Sequence, residues 1–164
     1  MRHIFILFAF FLIRSTVLAQ TCNAWANDTM GIPETGRTLT GKYLETTLKK
    51  NSVVRLFRSD DGKLYLRLIV TENFYFNKVA MLEIRSGSKS YYVKNTKQHK
   101  LDKTRGMFFT EIFSNYLVTL KEHGITGVIF GEAETDFTRA DAAQVKQIAG
   151  CMYDDITQKK QRHE

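Results

Sequence analysis

The sequence predicts an α+β protein: an antiparallel sheet of about five to six strands, with two main helices (about 114–123 and 138–157) packed on one face. Three observations predict it. Between 53 and 71, apolar residues recur at every second position, as in a sheet with one buried and one mostly wet face. From 114 onward the order becomes helix, strand, helix, with apolar residues three and four apart. No repeat, low-complexity tract or long linker divides the chain, and 164 residues suffice for a single core.

Residues 1–19 read MRHIFILFAFFLIRSTVLA. A basic start, ten apolar residues from Ile4 to Ile13, and the small-residue pair Val17 and Ala19 make this a secretory signal peptide, with cleavage expected before Gln20. Ten apolar residues reach about 15 Å as a helix, half of a bilayer core, so no membrane span is expected after cleavage. Export places the protein in a secreted or periplasmic setting. Loss of Arg2 and Arg14 lowers the formal net charge from +7 to +5. Cys22 and Cys151 both survive cleavage, and in an oxidising compartment one intramolecular disulfide follows.

The stretch 20–41 has four Gly/Pro positions and no period, and is expected to be an extended segment anchored by Trp25. Asn27-Asp28-Thr29 has the pattern of an N-glycosylation acceptor. The domain proper is expected over 42–157. Tyr43, Leu44, Thr47 and Leu48 share a helical face, which predicts a short helix over 42–49. Strands follow at 53–58 and 63–71, joined by a Ser59-Asp60-Asp61-Gly62 turn. In the second of these, Leu64, Leu66, Leu68 and Val70 point to the core, and Lys63, Tyr65, Arg67 and Thr71 to water. Further strands are expected at 78–85, 90–94, 107–112 and 125–130. Ser114 is placed to cap the first main helix and Gly124 to close it. Thr138 with Asp141 forms a capping box for the second. Val145, Ile148, Ala149, Met152 and Ile156 then form its apolar stripe, flanked by Cys151. The stretch 158–164 is expected to be a polar tail.

The candidate site is a charge cluster. Lys89, Lys94, Lys97, Lys100, Lys103 and Arg105 are joined by His99 and a single acid, Asp102, so this stretch alone carries the whole mature charge of +5. Residues 95–106 read as a long loop between strands, a common location for function. Lys94, Lys97, His99, Lys100, Lys103 and Arg105 are the candidate contacts for an acidic partner, an unidentified protein or cell-envelope component. Tyr91 and Tyr92 adjoin the loop, but export disfavours nucleic acid as the partner. A second candidate is the aromatic surface Phe74, Tyr75 and Phe76, of which a strand exposes at least one ring.

Catalytic and metal chemistry leave no local trace. Glu132, Glu134 and Asp136 alternate, but the ligand order of a calcium loop is absent, so no metal or cofactor is expected. No HExxH, GxSxG, Cys–His signature or phosphate-binding glycine loop occurs. The sequence therefore favours a small exported, non-catalytic binding module. Two alternatives stand beside it. One is a hydrolase with a site assembled from distant residues, for instance His99 and an acid across the sheet. The other is an assembly factor acting by sheet-edge pairing.

Overall fold

The computed structural model describes residues 22, 25–32, 37–71, 81–94, 98–100, 104–130 and 133–161. Its strands are β1 (Ala26–Ile32), β2 (Arg37–Thr47), β3 (Val53–Ser59), β4 (Leu64–Thr71), β5 (Met81–Ser86), β6 (Lys89–Lys94), β7 (Gln98–Lys100), β8 (Arg105–Ile112), β9 (Gly127–Phe130) and β10 (Ala133–Asp136). Its helices are α1 (Ser114–His123) and α2 (Arg139–Gln161), with a 3-10 turn at Lys49–Asn51. The fold is α+β, as the sequence predicts. The strands divide between two antiparallel sheets, ordered β1-β2-β3-β4-β8-β7 and β10-β9-β5-β6.

Alternation determines which face of the larger sheet is buried. Register pairs such as Leu44–Leu56, Leu56–Leu66, Leu66–Thr110 and Leu68–Phe108 share one face. That face meets Leu82, Ile84, Val128 and Phe130 of the smaller sheet and Leu117, Leu120, Val145, Ala149 and Met152 of the helices, in one core. Completely burying a Leu, Ile or Phe side chain stabilises by roughly 1.5–3 kcal/mol, so this layer dominates the fold. The expected stripe of α2 is the side it presents: Val145, Ala149 and Met152 are buried, and Ile148 and Ile156 pack half-buried beside them.

The opposite face is less wet than period-two reading suggests. Met30, Phe57, Tyr65 and Phe109 are buried there as a second cluster, with Leu39 and Tyr43 against it. Tyr65 stacks on Phe109 at 5.1 Å between ring centroids. Tyr65 therefore belongs to a core and not to the solvated side. The pattern was visible in sequence, but hydrophobic alternation alone cannot distinguish an aromatic ring that is buried from one that is exposed.

Several local expectations change. Residues 42–49 are not a helix: most of them form the second half of β2, pairing with both β1 and β3. Tyr43 and Leu44 go to opposite faces, and the four threonines of β2 favour the strand by their β-branching. The segment expected to be extended contains β1 and the start of β2, paired as a hairpin. Trp25 does pack against the core, with Lys42 Nζ 3.9 Å from its ring centre. Phe113, not Ser114, is the residue flanking α1, and the Asn115 side chain accepts the Tyr116 N–H at 2.8 Å. Helix α2 runs on to Gln161, because Gln and Lys are good helix formers and no breaker stops it at 157.

Other expectations hold. Gly62 closes the β3–β4 turn at φ 87°, and the Ser59 N–H donates to the Lys63 carbonyl at 3.0 Å. In the capping box the Asp141 N–H donates to Thr138 Oγ1 at 3.1 Å, and the Thr138 N–H to Asp141 Oδ2 at 2.8 Å. Asp141 also accepts the Lys49 N–H at 2.9 Å, which fastens the start of α2 to the end of β2. Gly124 ends α1 at φ 70°, and a Cβ there would lie 2.1 Å from the Ala142 carbonyl oxygen. Cys22 and Cys151 are joined, with Cα atoms 5.5 Å apart.

Candidate functional site

The basic stretch lies where both sheets end. Lys89 opens β6 and Lys94 closes it, and β6 is an edge strand of the smaller sheet. The chain then passes to β7, an edge strand of the larger sheet, where His99 and Lys100 stand opposite Met107 and Gly106. Arg105, exposed, opens β8 opposite Thr71. Lys97 and Lys103 lie outside the described residues, as do Phe74, Tyr75 and Phe76. The 95–106 stretch is thus not a plain loop: β7 and the start of β8 form a short hairpin within it. Weak alternation over three residues gave no sequence signal for β7.

Charge on an edge strand has a physical consequence whatever its partner. A free strand edge offers unpaired backbone groups to any other chain, and lysines there oppose such pairing. The placement of these bases therefore suits them to protecting the edge.

The two neighbouring tyrosines separate by alternation. Tyr91 faces inward: its hydroxyl lies 2.6 Å from Thr119 Oγ1, and its ring meets Tyr116 edge-on at 4.5 Å. The Tyr116 hydroxyl is buried without a hydrogen-bond partner among the described residues, and burial, with Tyr91 beside it, pushes its pKa well above the ordinary range. Tyr91 is therefore occupied by packing. Tyr92 faces outward and is 63% exposed, on the outer face that also carries Met81, 47% exposed. Of the two rings, Tyr92 is the one a partner can reach.

The acids on β10 are accounted for within the chain. Arg85 Nη2 donates to Asp136 Oδ1 at 2.7 Å and also to Glu134. The guanidinium crosses the intervening strand β9 at Gly127, where a Cβ would lie 2.9 Å from Nη2. Glu132 lies outside the described residues. Among the described residues, no group of three or more His, Cys, Asp or Glu is placed to hold a metal. His123 is exposed at the end of α1, and its ring would crowd a Cβ at Gly87.

Sequence reasoning missed two polar clusters. On the second face of the larger sheet, Arg55 donates to Asp28 at 2.5 Å and to Glu45 at 2.7 Å, and lies 3.7 Å from the Tyr43 ring centre. Arg67, cross-strand from Arg55, keeps its Nε buried without a hydrogen-bond partner among the described residues, and burial, then the neighbouring Arg55, lowers its pKa. On the core face, Asp155 of α2 accepts Lys42 Nζ and Arg58 Nη1, each at 2.5 Å. Burial pushes the Asp155 carboxyl up, but the hydrogen bonds and charges of Lys42 and Arg58 outweigh it and hold it below its ordinary value. The signal available in sequence was the pair of arginines at alternating wet-face positions, Arg55 and Arg67; nothing local announced Asp155.

A groove of about 470 Å³ runs beside β1, lined by Asn27, Asp28, Thr29, Thr40, Gly41 and Asp60. Its two carboxylates are engaged, Asp28 by Arg55 and Asp60 by the Thr40 hydroxyl at 2.6 Å. It offers hydrogen-bonding groups but no acid–base pair poised against a nucleophile. Compared with known proteins, the chain matches no family model, and no curated protein or solved structure is significantly similar to it.

Proposed function

We propose that the chain is an exported, non-catalytic binding module that engages an acidic protein or cell-envelope component. Its contacts are Lys94, Lys97, His99, Lys100, Lys103 and Arg105, with Tyr92 beside them. One observation carries this reading: the stretch that holds the entire net positive charge of the mature chain is also the one that links an edge of one sheet to an edge of the other. Concentrated charge of one sign raises the local concentration and association rate of an oppositely charged partner.

Edge protection and partner binding predict different responses, so one experiment separates them. Changing Lys97, Lys100 and Lys103 to Glu keeps the edge charged and reverses its sign. Binding of the protein to a soluble polyanion, measured across a salt series, is expected to fall at least tenfold at low salt and to lose most of its salt dependence. An unchanged affinity refutes the binding reading. Self-association that appears when the three lysines become Ala, with no effect of the Glu variant on binding, assigns the bases to edge protection.

A further inference from the structure

We propose that Asn27 is an acceptor site for an N-linked oligosaccharide, added as the chain enters a secretory compartment. The inference rests on the export reading above, but on different residues. Asn27-Asp28-Thr29 is the one Asn-X-Ser/Thr triplet in the sequence. Sequence alone leaves such a triplet ambiguous, since chance produces many of them. Its placement adds three facts.

First, the triplet lies in β1, an edge strand of the larger sheet, so among the described residues no further strand flanks it on its outer side. Second, alternation puts Asn27 and Thr29 on one side and Asp28 on the other. Asn27 and Thr29 are both exposed, and neither side chain hydrogen-bonds to the described residues, whereas Asp28 is turned to Arg55. The amide to be modified and the hydroxyl that marks the acceptor are therefore presented together. The acidic middle residue is neutralised on the other side. Third, the groove beside Asn27 is lined by Thr29, Thr40 and Asp60, hydroxyl and carboxylate groups suited to the polar rim of a sugar ring. A proximal sugar has room and hydrogen-bonding partners there.

The chemistry balances with a lipid-pyrophosphate-linked oligosaccharide as donor. A bond forms between Asn27 Nδ2 and the anomeric carbon of the first sugar. The bond from that carbon to the pyrophosphate oxygen breaks, the carrier leaves as the lipid pyrophosphate, and the amide nitrogen gives up one proton. The attached glycan would also cover the open edge of β1, doing for that edge what lysines do for β6.

The test is expression of the full chain in insect cells in two forms, with its own residues 1–19 and with a proven secretion signal in their place. Secreted protein is examined by intact mass before and after peptide-N-glycosidase treatment. The expected result is a glycan-sized increment removed by the enzyme in both forms. It is lost in Asn27→Gln and Thr29→Ala and kept in Thr29→Ser. Secretion of the signal-replaced form without the increment overturns the proposal whatever the native form does. A glycosylated signal-replaced form beside a native form retained in the cytosol with Met1 intact overturns it through the export reading instead.

Discussion

The disulfide closes almost the whole domain, and its removal has a calculable effect. Cys22 and Cys151 are 129 residues apart in sequence, so reducing the bond frees a very long loop in the unfolded chain. The loop-closure relation gives about 5 kcal/mol of stabilisation for a loop of that length, an upper figure because a compact unfolded chain has less entropy to gain. The folded state loses little at the same time. Cys22 is exposed, and β1 remains held to β2 by seven register pairs. With a urea dependence of roughly 2 kcal/mol per molar, the double variant Cys22→Ser, Cys151→Ala should unfold at a midpoint about 2 M lower. The slope should steepen, because an unfolded chain without the cross-link exposes more surface. The assay is equilibrium urea unfolding followed by tryptophan fluorescence and by circular dichroism. A loss below about 1 kcal/mol with an unchanged slope refutes the loop-entropy argument.

Two further predictions concern glycine and acid. Gly124→Ala forces a side chain into a positive-φ position and against the Ala142 carbonyl, so it should destabilise by about 2–4 kcal/mol. Gly127→Ala meets side-chain ends and no backbone, the Arg85 guanidinium at 2.9 Å and the Asp136 carboxylate at 3.1 Å, so it should disturb that ion pair and cost about 1 kcal/mol, less than Gly124→Ala; thermal unfolding of both variants checks the contrast. Asp141 and Asp155 both have carboxyl pKa values lowered in the folded state: burial raises each, and hydrogen bonds, from Thr138 and Lys49 or from Lys42 and Arg58, outweigh it. A depressed folded value means that their stabilisation is complete above the ordinary carboxylate range and is lost as pH falls through the depressed values. The melting temperature should therefore fall as the pH drops below about 4, and the fall should be shallower in Asp141→Asn and Asp155→Asn than in the wild type. An identical acid profile in the two variants contradicts the assignment.

What was legible in the sequence follows from how local each signal is. Strands β3 and β4 and the turn between them were readable because Leu64, Leu66, Leu68 and Val70 alternate without a break and Gly62 sits at the turn. The start of α2 was readable because Thr138 and Asp141 satisfy each other three residues apart. The β2 strand was misread because residues 43, 44, 47 and 48 fit a helical face by spacing, and the pairing that overrides this comes from β1 and β3. The division into two sheets is a tertiary fact that no local window contains. The same holds for the candidate site. The charge concentration is written in the sequence, but that it lies between two sheet edges depends on β6 and β7 belonging to different sheets. Arg85 lies about fifty residues from Glu134 and Asp136, and Asp155 about a hundred from Lys42 and Arg58, so neither network has a sequence signature.

Export and oxidation underlie the proposed function, the staple's stabilising effect and the glycan alike. Peptide mass mapping without reductant, on protein from its native source, tests them together. The account predicts a chain that starts at Gln20 and yields a peptide pair joined through Cys22 and Cys151. Recovery of Met1 at the N-terminus, or alkylation of both cysteines in unreduced protein, contradicts it.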